Sequence, residues 1–345
     1  MTIIWFILIL GAIILVHEFG HYLFAKLFHT YVYEFSIGMG PRLFYFKKKN
    51  GETEYSIRCI PLGGFVRLAG EEVDDDTKIP KDRKLYSKNV IQRFLIMFAG
   101  AGFNFLFAFV VLFVSALIYG STSLTPIVGS VSEGYPAYEA GINSGDQILS
   151  IDGDKTDSWN EVQLLIQTSK GKELEIKLKR VNGNIETVKL TPKEVTSDED
   201  VSYVVGISIA NVKQTGFINS LKYAVNTTRL LFKLMLTTIK SLFTGAVSVN
   251  NLSGPVGIYS VVDDQAKLGF QNILYLVAFL SINVGVINLL PFPAFDGGRI
   301  LFLIIEKIKG SPVSPKVENT IHNIGFFLLL ALMIYITFND ILKLI

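Results

Sequence analysis

The chain has 345 residues, of which 50% are hydrophobic and 12% aromatic, and its mean hydropathy is positive. That is too apolar for an ordinary soluble domain and points to a membrane protein. A formal net charge of +2 with no basic tail gives no nucleic-acid footprint. A single cysteine, Cys59, excludes an intrachain disulfide and a cysteine-built metal cluster.

Four apolar segments, near residues 3–24, 91–119, 272–296 and 322–341, are long enough to span a bilayer, which takes about 20 helical residues. No Lys or Arg precedes Lys26 and no small-residue cleavage site ends the first run. The first segment is therefore expected to persist as a helix rather than be removed as a signal peptide. After it comes strand-like text, with hairpin strands predicted at 43–46 and 53–60 around the turn Lys49-Asn50-Gly51. Residues 70–84, GEEVDDDTKIPKDRK, form a charged loop.

Residues 125–195 are polar and soluble-looking, with β-rich runs (IVGSV, QILSIDG, LEIKLKR, ETVKLTP) and one helical run, WNEVQLLIQTS. Residues 217–243 predict an amphipathic helix with Lys222, Asn226, Arg229, Lys233 and Lys240 on one face. That spacing suits a helix in the headgroup plane and a helix docked on the protein's own spans equally. The third apolar run carries Pro291, Pro293, Asp296, Gly297 and Gly298, so its helix must break. Broken backbone at membrane depth is tolerated only where protein buries it or it lines a wet cavity.

Lys and Arg crowd the connection from Lys26 to Arg93 and the one from Arg299 to Lys316, which assigns both to the cytoplasm. Both termini and the region 120–270 are then expected outside.

The first span contains LVHEFGH, residues 15–21. His17 and His21, four apart, share one helical face, and Glu18 reaches the same volume. Ionisable residues within a span are rare and usually functional. Two neutral imidazoles suit Zn²⁺, which lowers the pKa of a water, and Glu18 is placed to take the proton and pass it to a leaving amine. Gly20 removes bulk where a neighbouring helix or substrate comes close. A catalytic zinc needs a third ligand. His29 and His322 fall at span ends and read as interfacial residues. Asp296 is the one acid in the third apolar run, where Pro and Gly open the helix, and is the candidate. The alternative is that Asp296 only caps the short helix that follows. From His17 to Lys26 is about 14 Å of helix, which puts the site inside the cytoplasmic half of the membrane.

These residues resemble the site-2 protease family of intramembrane zinc metalloproteases, in its regulator-of-sigma-E-protease branch with a single PDZ domain of Gram-positive-like form (a peptidase family M50B-like chain). The resemblance rests on HEFGH at 17–21, PLGGFVRLAGE at 61–71, GAGFNFLFA at 100–108, the PDZ-like 125–159, SGPVGI at 253–258 and NLLPFPAFDGG at 288–298. It departs at Phe295, where the family usually has Leu. It implies a polytopic α-helical membrane protein with four transmembrane helices, a cytoplasmic-side membrane-associated β-hairpin near 33–69 and an inserted extracytoplasmic PDZ domain.

The implied division is 1–120 for the first two helices with the β-hairpin, 125–195 for the PDZ domain, 196–271 for an amphipathic helix and linker, and 272–345 for the last two helices. The implied ligands of Zn²⁺ are His17, His21 and Asp296, with Glu18 as catalytic base. Asn288 and Pro291 occupy the family's Asn-x-x-Pro and, with Gly63 and Gly64, are its expected substrate contacts. Asn104 matches an asparagine of the second span's Gly-x-x-x-Asn-like element.

The expected function is regulated intramembrane proteolysis in a bacterial plasma membrane. Its substrates would be single-pass proteins, such as trimmed anti-sigma factors and signal-peptide remnants. The PDZ domain would take a C-terminal peptide or exclude bulky substrates, and no nucleic-acid partner is expected. A membrane-anchored PDZ scaffold and a metal transporter are the alternatives. Intact Glu18 and Asp296 argue against the first, and the lack of an inverted repeat against the second.

Overall fold

A computed structural model describes residues 2–49, 51–71, 78–122, 125–197, 200–210, 213–245, 253–311 and 313–344. Asn50 of the expected turn and residues 72–77 of the charged loop lie outside the described residues. The chain forms two compact units, one of Met1–Ser115 with Ala224–Ile345 and one of Ala116–Tyr223.

The first unit opens with α1 (Thr2–Leu27), whose buried residues Phe6, Ile9, Ile13, His17, Gly20, His21 and Ala25 recur at three- and four-residue spacing. They form one stripe of the helix, and residues such as Leu8, Phe19 and Leu27 stay exposed on the others. Then come β1 (Val32–Lys47) and β2 (Glu54–Leu68), an antiparallel pair. Both are longer than the predicted 43–46 and 53–60, because β1 bends and is used twice. Its first half pairs with the end of β2, Val32 opposite Leu68 and Ile37 opposite Gly64, and also lies alongside Glu54–Ile57. Its second half pairs Lys47 with Glu54. Met39, Leu43, Phe44, Tyr45 and Phe46 at the far end are all exposed, an apolar tip suited to a lipid surface.

Next is α2 (Val90–Tyr119). A Cβ at Gly20 of α1 would fall 2.4 Å from the Ala99 carbonyl oxygen of α2, so glycine is what lets these helices touch backbone to backbone.

The second unit contains β3 (Ser121–Thr122), β4 (Val128–Val131), α3 (Pro136–Glu139), β5 (Gln147–Ile151), β6 (Asp154–Lys155), α4 (Trp159–Thr168), β7 (Leu174–Lys179), β8 (Ile185–Leu190), β9 (Lys193–Ser197), β10 (Asp200–Val204), β11 (Ile207–Ile209) and β12 (Lys213–Gln214). Its central sheet runs β6-β5-β7-β8, and β4 pairs with β11. β7 alternates buried Leu174, Ile176 and Leu178 with exposed residues, the period-two pattern of a half-buried strand. These pack with Val128, Ile148, Ile151, Val162 and Ile166 into one core. Val205 belongs to that core, so the folded unit runs past residue 195. α4 starts on a capping box in which Ser158 and Glu161 satisfy each other's backbone N–H.

α5 (Phe217–Phe243) matches the predicted amphipathic helix. α6 (Pro255–Leu268) has no counterpart among the sequence expectations. Its first turn is held by the buried Asp340 carboxylate, which accepts from the Gly254 and Gly257 N–H groups at 2.8 Å each. α7 (Phe270–Asn288), α8 (Asp296–Lys309) and α9 (Pro315–Leu344) complete the chain. Val262 of α6 and Ile273, Leu276 and Val277 of α7 pack on Phe6, Ile9 and Ile13 of α1.

Among the described residues, four helices are long and apolar enough to cross a membrane: Thr2–Leu27, Val90–Tyr119, Phe270–Asn288 and Lys316–Leu342. The third stops eight residues before the expected end at 296, because the backbone leaves the helix after Asn288 ahead of Pro291 and Pro293.

Candidate active site

His17 and His21 sit on the buried stripe of α1, 8% and 9% exposed. Their rings meet edge to face, with the two Nε2 atoms 3.2 Å apart. His21 Nδ1 is 2.8 Å from the Ile96 carbonyl oxygen on α2. A carbonyl only accepts, so the neutral ring carries its proton on Nδ1 and presents a lone pair at Nε2.

Asp296 arrives from the other end of the chain. Between α7 and α8 the backbone folds over itself: a Cβ at Gly297 would fall 2.2 Å from the Leu290 carbonyl oxygen, and one at Gly298 2.4 Å from that of Phe292. Only glycine fits both positions. Ala294 is held in the left-handed region at φ 78°, costly for a residue with a Cβ. Its N–H donates to His322 Nδ1 on α9 at 3.0 Å. The Phe295 side chain makes no cap bond, and Asp296 is the first residue of α8. The Asp296 carboxylate turns to the histidines instead of capping its helix, with Oδ2 3.2 Å from His17 Nε2 and 3.3 Å from His21 Nε2.

These three atoms form a nearly equilateral triangle. Asp296 Oδ2 is buried and, although close to both rings, accepts no well-aligned hydrogen bond. With the lone pairs of both Nε2 atoms turned inward, the three groups repel unless a cation sits among them. A triangle of that edge is one face of a tetrahedron whose centre lies about 2.0 Å from each corner, the bond length of zinc to imidazole nitrogen or carboxylate oxygen. The donor set therefore fits zinc and leaves a fourth direction open. Among the described residues this is the one grouping of His, Cys, Asp and Glu able to hold a metal ion.

A cavity of about 420 Å³ opens at this point. His17, Glu18, His21 and Asp296 line it, and so does Asn288, the last residue of α7. Gly64 does not line the cavity but lies beside Glu18: a Cβ there would lie 3.5 Å from Glu18 Cγ and 2.7 Å from the Ser36 carbonyl oxygen. The β2 residues Phe65, Val66 and Leu68 face the same cavity. Gly63, at φ 114°, abuts the Met39 side chain, and Pro291 is exposed; neither lines the cavity.

Three lining residues take contacts that the sequence expectations did not include. Arg299, one turn beyond Asp296, donates to the Glu71 carboxylate just past β2 and ties α8 to the sheet. His322, expected at an interface from its position at a span end, accepts from the Ala294 N–H and lines the cavity. The detectable signal was the same for all three: a polar side chain beside an apolar run.

Residues 5–332 match peptidase family M50. A Clostridium perfringens protein is 39% identical across 99% of both chains. The zinc metalloprotease RasP of Shouchella clausii is 34% identical and the regulator of sigma-W protease RasP of Bacillus subtilis 33%, each across 99% of both chains. A solved PDZ domain of an SdrC-like protein from Listeria monocytogenes is 26% identical over 26% of this chain and 90% of its own, with a TM-score of 0.22, too low to assign a fold.

Proposed function

The chain belongs to peptidase family M50 and is a zinc metalloprotease of the site-2 type, and from that premise we propose that His17, His21 and Asp296 hold the zinc while Glu18 moves the proton. The observation that carries this reading is the triangle of Nε2, Nε2 and Oδ2 atoms beside Glu18 in one cavity. When bound, zinc supplies a Lewis acid for the scissile carbonyl and lowers the pKa of a water. Glu18 accepts that water's proton and returns it to the leaving amine. A substrate helix hides its carbonyls in its own hydrogen bonds, so it must unwind to be cut. Residues Gly64–Leu68 of β2 pair with β1 on one side, and among the described residues no strand pairs with their other edge. That edge adjoins the cavity and is suited to receive the unwound segment as an added strand, with Asn288 bonding its exposed backbone.

The substrates in this reading are single-pass membrane proteins already trimmed outside, including anti-sigma factors and signal-peptide remnants. A B. subtilis relative is named a regulator of sigma-W protease, which supports the first class. The second unit acts as an extracytoplasmic PDZ domain. Its cavity of about 630 Å³, lined by Val162 and Ile166 of α4 and by Gly206 and Ile207, suits a C-terminal peptide. Both termini lie outside and β1 and β2 inside. The one cysteine, Cys59, is exposed on β2 and reports the sidedness: a membrane-impermeant thiol reagent should label it only after cells are opened.

The activity test is cleavage of a trimmed single-pass protein by the purified enzyme in liposomes, with cut sites mapped by mass spectrometry. A cut within the transmembrane segment, abolished by a chelator and restored by zinc, is expected. Cuts confined to the soluble tails, or indifference to the chelator, would contradict the proposal.

A further inference from the structure

The second span places Ile96, Gly100 and Asn104 one turn apart on a single face of α2, and this face backs both histidines. The Ile96 carbonyl takes the Nδ1 proton of His21. A Cβ at Gly100 would fall 2.4 Å from His21 Nε2 and 2.8 Å from His17 Nε2, so the middle position must stay bare. Asn104, fully buried, has its amide nitrogen 3.3 Å from His17 Nδ1. The Ser281 hydroxyl of α7 donates to the Asn104 backbone carbonyl at 2.9 Å and fixes this turn of α2 in place.

With its nitrogen toward the ring, the Asn104 amide would donate to His17 Nδ1, and the ring proton would sit on Nε2. That proton would point into the triangle formed with His21 and Asp296. Meanwhile Asn104 Oδ1 is buried with no hydrogen-bond partner, which costs about 1–3 kcal/mol for such a group. Half a turn of the amide exchanges its oxygen and nitrogen, two atoms of nearly equal size. Oδ1 then accepts the proton of His17 Nδ1, the amide nitrogen takes the place Oδ1 held, and Nε2 is left with its lone pair toward the triangle, so what the turn gains is the metal-binding tautomer of His17. His17 then matches His21, and α2 supplies the acceptor for each ring from residues two turns apart.

We propose that Asn104 is a positioning residue that accepts the Nδ1–H of His17 through Oδ1 and so fixes the ring in the tautomer that binds zinc through Nε2. The inference rests on the reading of His17, His21 and Asp296 as the zinc site. It gives Asn104 an outer-shell role in which the side chain touches neither metal nor substrate.

The test is zinc affinity, measured by chelator competition on the purified full-length protein in detergent, alongside thermal unfolding of the metal-free form. His17→Ala addresses the underlying reading: the parent should bind one zinc and this variant should not. Equal binding by both would overturn the site itself, whatever Asn104 does. With the site established, Asn104→Leu keeps the branched shape and removes the acceptor. It should weaken zinc binding about 10–100-fold, the usual effect of losing an outer-shell partner, while the metal-free protein unfolds as the parent does. Asn104→Asp can only accept when ionised, and should lose less than about tenfold in affinity, short of that range. Parental affinity in Asn104→Leu overturns the proposal. Asn104→Asp as weak as Asn104→Leu overturns it too, because a donor or a packing role would then be the cause. If Asn104→Leu does not fold, Asn104→Ala against Asn104→Asp gives the same comparison with the same deciding outcomes.

Discussion

His17 Nε2 and Asp296 Oδ2, from opposite ends of the chain, lie 3.2 Å apart, although no well-aligned hydrogen bond joins them. The contact makes sense if a cation completes it. Asp296→Asn keeps the shape and removes the charge. Zinc affinity should fall by more than about 100-fold, beyond the range for outer-shell changes, and cleavage should fall with it. Zinc titration of the purified variant checks this.

Gly100 lies against both candidate ligands. Gly100→Ala puts a methyl group 2.4 Å from His21 Nε2, and the surrounding backbone contact of α1 with α2 leaves little room to retreat. Overpacking of this kind costs about 1–3 kcal/mol and displaces the rings. Lower zinc affinity and a lower unfolding temperature in detergent are expected together.

The Ala294 loop carries the third candidate ligand under strain. Ala294→Gly should relieve the left-handed conformation at φ 78°, a cost of about 1–2 kcal/mol for a residue with a Cβ, offset in part by glycine's greater freedom in the unfolded chain. His322→Leu should do the reverse. It deprives the Ala294 N–H of its acceptor at a cost of about 1–3 kcal/mol. Thermal unfolding of the two variants should therefore shift in opposite directions.

Glu34 in β1 is buried and accepts hydrogen bonds from Ser56 at 2.6 Å and Arg58 at 2.7 Å, with Arg42 at 3.2 Å. Burial alone would raise its pKa, but those bonds and the two guanidinium charges outweigh it and hold the carboxyl below its ordinary value. A depressed folded-state pKa stabilises above the unfolded value of about 4.3 and is lost as pH falls through the folded value. Glu34→Gln should therefore be less stable than the parent at neutral pH, with the gap closing below about pH 4. Unfolding followed across pH 3–7 checks the sign.

The candidate site residues His17, Glu18, His21 and Asp296 were legible because a membrane span is a poor place for His, Glu or Asp, so each stood out in its local stretch. The helix break after Asn288 was legible from Pro291 and Pro293, and the helix at 217–243 from its apolar spacing. The β pair was found but cut short: β1 bends and pairs on two sides, which alternation in a single strand does not encode. α6 was missed because the side-chain cap of its N-terminus comes from Asp340 at the far end of the chain, which left Pro255 at its first position as a weak local signal. The roles of Asn104, His322 and the Arg299–Glu71 pair were illegible for the same reason, since each depends on a partner far away in sequence.

The central claim is that Glu18 moves a proton at a metal held by others. Glu18→Gln preserves the shape of the side chain and abolishes its basicity. Purified parent and variant are compared for zinc content and for cleavage of a trimmed single-pass protein in liposomes. The account predicts equal zinc in both and cleavage lowered by about 100-fold or more in the variant, the typical contribution of a positioned general base. Equal cleavage by parent and variant would contradict it and remove Glu18 from the chemistry.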